Sequence, residues 1–196
     1  MQLDTICVYC GSNPGNDPVY AEQARALGRE MAARGLGLVY GGARVGLMGV
    51  VADTVLEAGG KVIGVIPQSL VNKELAHPNL TELHVVQSMH ERKTMMADRA
   101  SAFIAMPGGV GTLEEIFETW TWAQLGFHQK PCGLFNVAGY YDRLAEFLDH
   151  TVASAFMQPQ HRQMLAVDDN PATLLDHFAA YQPPTVSKWI ASPAKA

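Results

Sequence analysis

The chain has 196 residues, of which 48% are hydrophobic and 17% charged, and it carries a formal charge of −5. That length suits one domain with a single buried core, and the composition excludes intrinsic disorder. The acidic balance argues against a broad nucleic-acid surface, which would draw its affinity from Lys and Arg neutralising phosphates.

Taken in chain order, the opening MQLDTICVYC lacks a basic n-region and meets Asp4 early, so it reads as a first strand over residues 4–9 and not as a signal peptide. Cys7 and Cys10 form a C-x-x-C, but residues three apart in a strand point to opposite faces. Together with Cys132 they read as buried thiols, not as a redox pair. Asp17-Pro18 supplies an N-cap and a first-position proline for a helix over 18–34 that Gly35 ends. A strand over 36–40, a helix over 46–58 closed by Gly59-Gly60, and strands over 61–66 and 81–86 follow. Ser88 and Glu91 have capping-box spacing at the start of a helix over 89–99. Beyond it lie a strand over 101–106, a helix over 112–127 with Thr112 and Glu115 in the same capping-box spacing, a strand over 132–136, a helix over 140–156, a short strand over 164–167 and a helix over 171–180. The alternation, with strands apolar on both parities, predicts an α/β fold with a doubly wound parallel sheet. One domain is expected over 1–181. The proline-broken stretch from Gln182 to Ala196 is expected to be a loose or partner-contacting extension. No run of about 18 apolar residues occurs, so no membrane span is expected and a cytoplasmic location is.

Three strand-to-helix turns concentrate small residues: CGSNPG at 10–15, GGARVGLMG at 41–49 and PGGVGT at 107–112. In a parallel sheet such turns share the carboxyl edge, where ligands of open α/β folds bind. Glycine permits close backbone approach, and a helix start presents free N–H groups to an anion, so the second and third turns read as anion sites. The first reads equally well as a tight connection. Neither G-x-G-x-x-G nor G-x-x-x-x-G-K-[ST] occurs, against a dinucleotide dehydrogenase and a P-loop nucleotidase.

At helical spacing Met89, Arg92, Met96 and Arg99 share a stripe, which places Arg92 in a first helical turn. By spacing alone it reads as a surface arginine, solvated or paired with Glu91 or Asp98. The alternative is that it faces an anion elsewhere. The seven histidines show no ligand spacing, so no metal site is expected, and no G-x-S-x-G offers a nucleophile. Ile116, Phe117, Trp120, Ala123, Gln124 and Phe127 make a mostly apolar stripe, read first as core and second as a self-association face or the wall of an apolar ligand site.

Taken together, PGGVGTLEE, GGARVGLMG and MHERK resemble the LONELY GUY family, the cytokinin riboside 5′-monophosphate phosphoribohydrolases, over roughly residues 4–180. The resemblance implies a Rossmann-like fold, a homodimer without metal or redox cofactor, and hydrolysis of the N-glycosidic bond of a nucleoside 5′-monophosphate to free base and ribose 5-phosphate. Arg92 and Glu115 fall on the family's catalytic pair. Gly108, Gly109, Val110, Gly111 and Thr112 fall on its phosphate turn, with Ser12, Gly41, Gly42, Met89 and Lys93 around the nucleotide. The chemistry agrees, since cleaving a ribosyl C–N bond develops positive charge that a carboxylate stabilises. With Glu115 in the first turn of its helix, dipole and backbone N–H groups would favour its ionised form. The rival reading is a nucleotide-binding or carrier protein without turnover.

Overall fold

The computed structural model describes residues 2–73 and 75–184, and the greater part of the expected C-terminal extension lies outside them. Seven strands form one sheet in the order β4-β3-β2-β1-β5-β6-β7, every neighbouring pair parallel. They are β1 (Thr5–Tyr9), β2 (Gly37–Tyr40), β3 (Val62–Pro67), β4 (Glu82–Val86), β5 (Ala102–Ala105), β6 (Cys132–Phe135) and β7 (Leu165–Asp168). The helices are α1 (Pro18–Ala33), α2 (Gly46–Glu57), α3 (Gln68–Val71), α4 (Met89–Arg99), α5 (Val110–Gln124), α6 (Asp142–Ala153), α7 (Pro159–Arg162) and α8 (Pro171–Ala180). The four-residue α3 and α7, and a 3₁₀ turn over Val137–Gly139, are too short to leave a periodic signal in the sequence.

The chain builds outward from β1 to β4, then crosses back through α4 to lay β5 on the other side of β1. Right-handed crossovers in opposite directions place helices on opposite faces. One core holds Leu27 and Met31 of α1, Val51 and Val55 of α2 and Leu175 and Phe178 of α8, while the other holds Met96 of α4, Ile116 and Trp120 of α5 and Leu148 of α6. Cys10 packs in the first core and Cys7 in the second, so the two thiols do lie on opposite faces of the sheet. Burial raises both thiols above their ordinary range, as it does Cys132, which suits packing and not redox chemistry.

Local chemistry sets the helix ends. The Asp17 carboxylate accepts from the Val19 N–H at 2.9 Å to start α1, and Gly35 ends it at φ +71°. Ser88 Oγ accepts from the Glu91 N–H at 3.1 Å, while the Glu91 carboxylate reaches back to the Gln87 N–H at 2.9 Å, a capping box displaced by one residue. The second expected box is absent. Gly109 is the N-cap of α5 and Val110 its first residue, so Thr112 stands third and Glu115 sixth, with no side-chain cap. The P-G-G turn already delivers an extended Gly109, and Val110 and Gly111 take helical geometry behind it.

Where β1 and β5 lie side by side, the order of connection reverses, and a crevice opens at the carboxyl edge of the sheet. The Gly11 N–H donates to the Pro107 carbonyl at 3.0 Å, tying the first and third turns together across it. Among the described residues no helix is long and apolar enough to cross a membrane.

Candidate active site

The crevice is a cleft of about 360 Å³ lined by Ser12 from the first turn, Met48 from α2, Met89 and Arg92 from α4, and Gly109 to Thr112 with Glu115 from α5. Nine of the sequence-derived residues meet here or at its rim: Ser12, Met89, Arg92, Gly109, Val110, Gly111, Thr112 and Glu115 line the cleft, and Gly108 lines a second hollow of about 270 Å³ beside Tyr20 and Tyr140. The two spaces share Gly11, Ser12 and Gly109 as a common wall.

The glycines divide by what presses on them. A Cβ at Gly108 would overlap Thr112, one at Gly46 would collide with the Ser12–Asn13 backbone, and one at Gly49 with that of Arg44. Gly42, at φ +73°, sits against Val65 and Ile66. Packing thus accounts for Gly42, Gly46 and Gly49, and the Leu47 N–H at the start of α2 donates to the Gly11 carbonyl at 3.0 Å. Gly41 and Gly42 are not among the residues lining the cleft.

Gly109 and Gly111 differ. A Cβ on either would meet nothing within 4 Å, and neither has a left-handed φ. Neither the protein's packing nor its backbone needs glycine there. The carbonyl side of the turn is pinned, with the Tyr140 hydroxyl donating to Gly108 O at 2.6 Å and the Tyr141 hydroxyl to Met106 O at 2.6 Å. The Leu113 N–H bonds back to Gly109 O at 3.2 Å, so the helix supplies no acceptor for the N–H groups of Val110, Gly111 and Thr112 before it. What remains is a fixed row of donors at a helix start, facing empty space.

Beside that row lies an ion pair. Arg92 is 8% exposed and Glu115 9%, and Arg92 Nη1 donates to Glu115 Oε1 at 2.5 Å. Arg92 Nε donates to the Val65 carbonyl of β3 at 3.2 Å. The reading of Arg92 as a surface residue paired with Glu91 or Asp98 is thus overturned. Burial raises the Glu115 carboxyl above the ordinary glutamate value, against the opposing pull of the Arg92 charge. That corrects the expected help from the helix start, because Glu115 stands beyond the first turn.

Lys93 does not line the cleft. Its ammonium pairs with Glu114 at 2.5 Å and Glu118 at 2.9 Å, and although burial alone would lower it, these bonds hold it above its ordinary value. Met48, Cys10 and the Val65 carbonyl are parts of the site that the sequence reading missed. Met48 had a weak signal, standing in the first turn of a helix behind glycines, whereas a backbone carbonyl on β3 has none. Among the described residues no cluster of three His, Cys, Asp or Glu has metal-ligand proximity.

Fold and cleft together define the class: an open parallel α/β protein with a cleft at the switch point of its sheet, where a helix start, a guanidinium and a carboxylate meet. A protein family described as "Possible lysine decarboxylase" matches residues 48–178. The probable cytokinin riboside 5′-monophosphate phosphoribohydrolase LOGL9 of Oryza sativa subsp. japonica is 49% identical over 91% of this chain and 78% of its own length. The cytokinin riboside 5′-monophosphate phosphoribohydrolase LOG7 of Arabidopsis thaliana is 47% identical over 91% of this chain and 82% of its own. The chain belongs to the cytokinin riboside 5′-monophosphate phosphoribohydrolase family. Among solved structures, the molybdenum cofactor binding protein of Rippkaea orientalis aligns with a TM-score of 0.68 at 20% identity, covering 92% of this chain and 98% of that one. The molybdenum cofactor carrier protein of Chlamydomonas reinhardtii aligns at 0.67 and 21%, covering 92% and 100%. At such identities the likeness is one of fold.

Proposed function

We propose that the protein hydrolyses the N-glycosidic bond of adenosine 5′-monophosphates, with N6-substituted forms as the preferred class, releasing free base and ribose 5-phosphate. The observation that carries this reading is the conjunction of two unfilled glycines, Gly109 and Gly111, with a buried Arg92–Glu115 pair in one cleft. The 5′-phosphate accepts from the free N–H groups of Val110, Gly111 and Thr112. On this reading the ribose lies toward Glu115 and the base toward the apolar side chains of Met48, Met89 and Val110, which line the same cleft.

In the reaction, water forms a bond to C1′ as the C1′–N9 bond breaks, its electron pair leaves with the base, and a proton passes from water to the departing purine. The glycosyl carbon is most cationic midway, and the Glu115 carboxylate offsets that charge and can take the water proton. Arg92 holds one carboxylate oxygen, Oε1, leaving Oε2 for the sugar or water. Nothing in these steps calls for a metal or redox group.

A carrier that never turns over its nucleotide has no use for a carboxylate in an anion's cleft, so the pair favours the enzyme. Decarboxylation through a lysine imine finds no support in the residues. Lys93, the lysine nearest the cleft on α4, is held charged by two glutamates, whereas imine formation needs a neutral amine. We further propose a C2 homodimer working in the cytoplasm. In support of the first, Val110 at the start of α5 and Phe127 just beyond its end are exposed; in support of the second, all three cysteines are free.

Chromatography of the products from AMP, an N6-alkyl AMP and the matching nucleosides tests the proposal. Base should appear from the monophosphates and scarcely from the nucleosides, because binding energy from the remote phosphate serves to orient the reacting bond. Equal rates on AMP and adenosine would overturn the phosphate assignment, and release from neither would leave the carrier reading.

A further inference from the structure

Arg92 is gripped on three sides. Its Nε donates to a β3 carbonyl and its Nη1 to the α5 carboxylate. Its remaining nitrogen, Nη2, lies against Gly41, the first residue beyond β2, where a Cβ would overlap that atom and come within 3.3 Å of Cζ and 3.2 Å of Met48 Sδ. Gly42 next to it is glycine for another reason, its φ of +73°. Gly41 has no such conformational demand, since its φ lies outside the left-handed region. The atoms that a methyl group at this position would crowd first are the far end of Arg92 and a methionine sulfur.

We propose that Gly41 is a positioning residue for the reaction: its missing side chain is the seat of the Arg92 guanidinium, and it keeps that group in bonding register with Glu115. This rests on the glycosidase reading of the same cleft. The physical contrast is sharp. The clash in Gly41→Ala is relieved by swinging a flexible side-chain end, not by moving backbone, so the fold tolerates the methyl while the guanidinium leaves its place. Displacements of about 1 Å in a catalytic group can cost on the order of 100-fold in rate.

The test compares wild type, Gly41→Ala, Arg92→Lys and the double variant. Gly41→Ala should stay folded, with the melting temperature lowered no further than in Arg92→Lys, since the methyl disturbs only the buried pair, and lose at least about 10-fold in kcat, with a much smaller change in KM, because the phosphate donors on α5 are untouched. Lysine lacks Nη2, so Arg92→Lys should cost far less when Gly41→Ala is already present than in the wild type, a non-additivity expected only of groups in contact. A Gly41→Ala variant of unchanged kcat, or strictly additive losses, would overturn the proposal. So would a crystal structure of that variant in which Arg92 Nη1 still reaches Glu115. This last readout needs no turnover, so an inactive wild type would sink the glycosidase reading while Gly41 is still judged on geometry.

Discussion

At the scale of single residues, the informative group is a carboxyl that the protein keeps from water and then neutralises with a guanidinium. Burial pushes Glu115 up while Arg92 pulls it down, and burial is the larger effect. Two predictions follow from the sign. First, the ionised form is the working form, so the acid limb of the kcat profile should fall at a pH above that of an ordinary glutamate; Arg92→Gln removes the lowering influence and should move the residual activity's limb higher still. Second, a carboxyl whose folded-state pKa is raised contributes stability that is present below its unfolded value and lost as pH rises through the folded one. Glu115→Gln lacks that contribution, so its melting temperature relative to wild type should worsen as pH is lowered through that window. At neutral pH the amide oxygen can still accept from Arg92, and turnover should drop by at least about 100-fold without unfolding. Near wild-type turnover in the folded glutamine variant would end the catalytic assignment.

At the scale of elements, α5 follows a segment whose Met106 and Gly108 carbonyls are held by two tyrosines, and its own first turn is open at the amide side. Alanine at Gly111, within the first turn of α5, fits the empty space and reduces the freedom of the unfolded chain, so it should leave stability unchanged or raise it by about 0.4–1 kcal/mol while raising KM for the monophosphate. Gly35→Ala, at φ +71° and far from the cleft, should do the reverse and lower the melting temperature alone. Calorimetry beside initial-rate kinetics separates the two patterns; a Gly111→Ala protein with unaltered KM would speak against a phosphate on that turn. The elements themselves are legible in the sequence. Alternation between apolar runs and amphipathic stretches puts α4 at 89–99 and α8 at 171–180, their observed bounds, because caps such as Ser88 and Asn170 act through neighbouring residues. The start of α5 lies two residues before the expected one, since Thr112 and Glu115 fit a capping pattern that the upstream P-G-G turn pre-empts. Arg92 is illegible from spacing because its partner is 23 residues away on another helix, and only the parallel crossover brings them together.

At the scale of the whole molecule, the seven-stranded sheet leaves large apolar side chains in water: Val110 is 84% exposed and Phe127 76%. The expected apolar stripe divides between two uses, with Ile116, Trp120 and Ala123 of α5 in the core and Phe127, past the helix end, outside it. Light scattering at micromolar concentration should give twice the 21.2 kDa chain mass. Aspartate at both Val110 and Phe127 should shift it to the monomer value, and a wild type already at the monomer mass would contradict the dimer.

The bond from Gly11 to Pro107 joins strands that lie nearly a hundred positions apart along the chain, while the helices between them close locally. Order of assembly therefore separates from order of sequence. After dilution from denaturant, ellipticity in the far ultraviolet should recover first, because helices form from near neighbours, and base release should recover later, when β5 docks on β1 and the catalytic cleft exists for the first time. Turnover thus serves as a clock for the pairing of β5 with β1, and recovery of both signals with a single rate constant would show that the central strands dock as early as the helices.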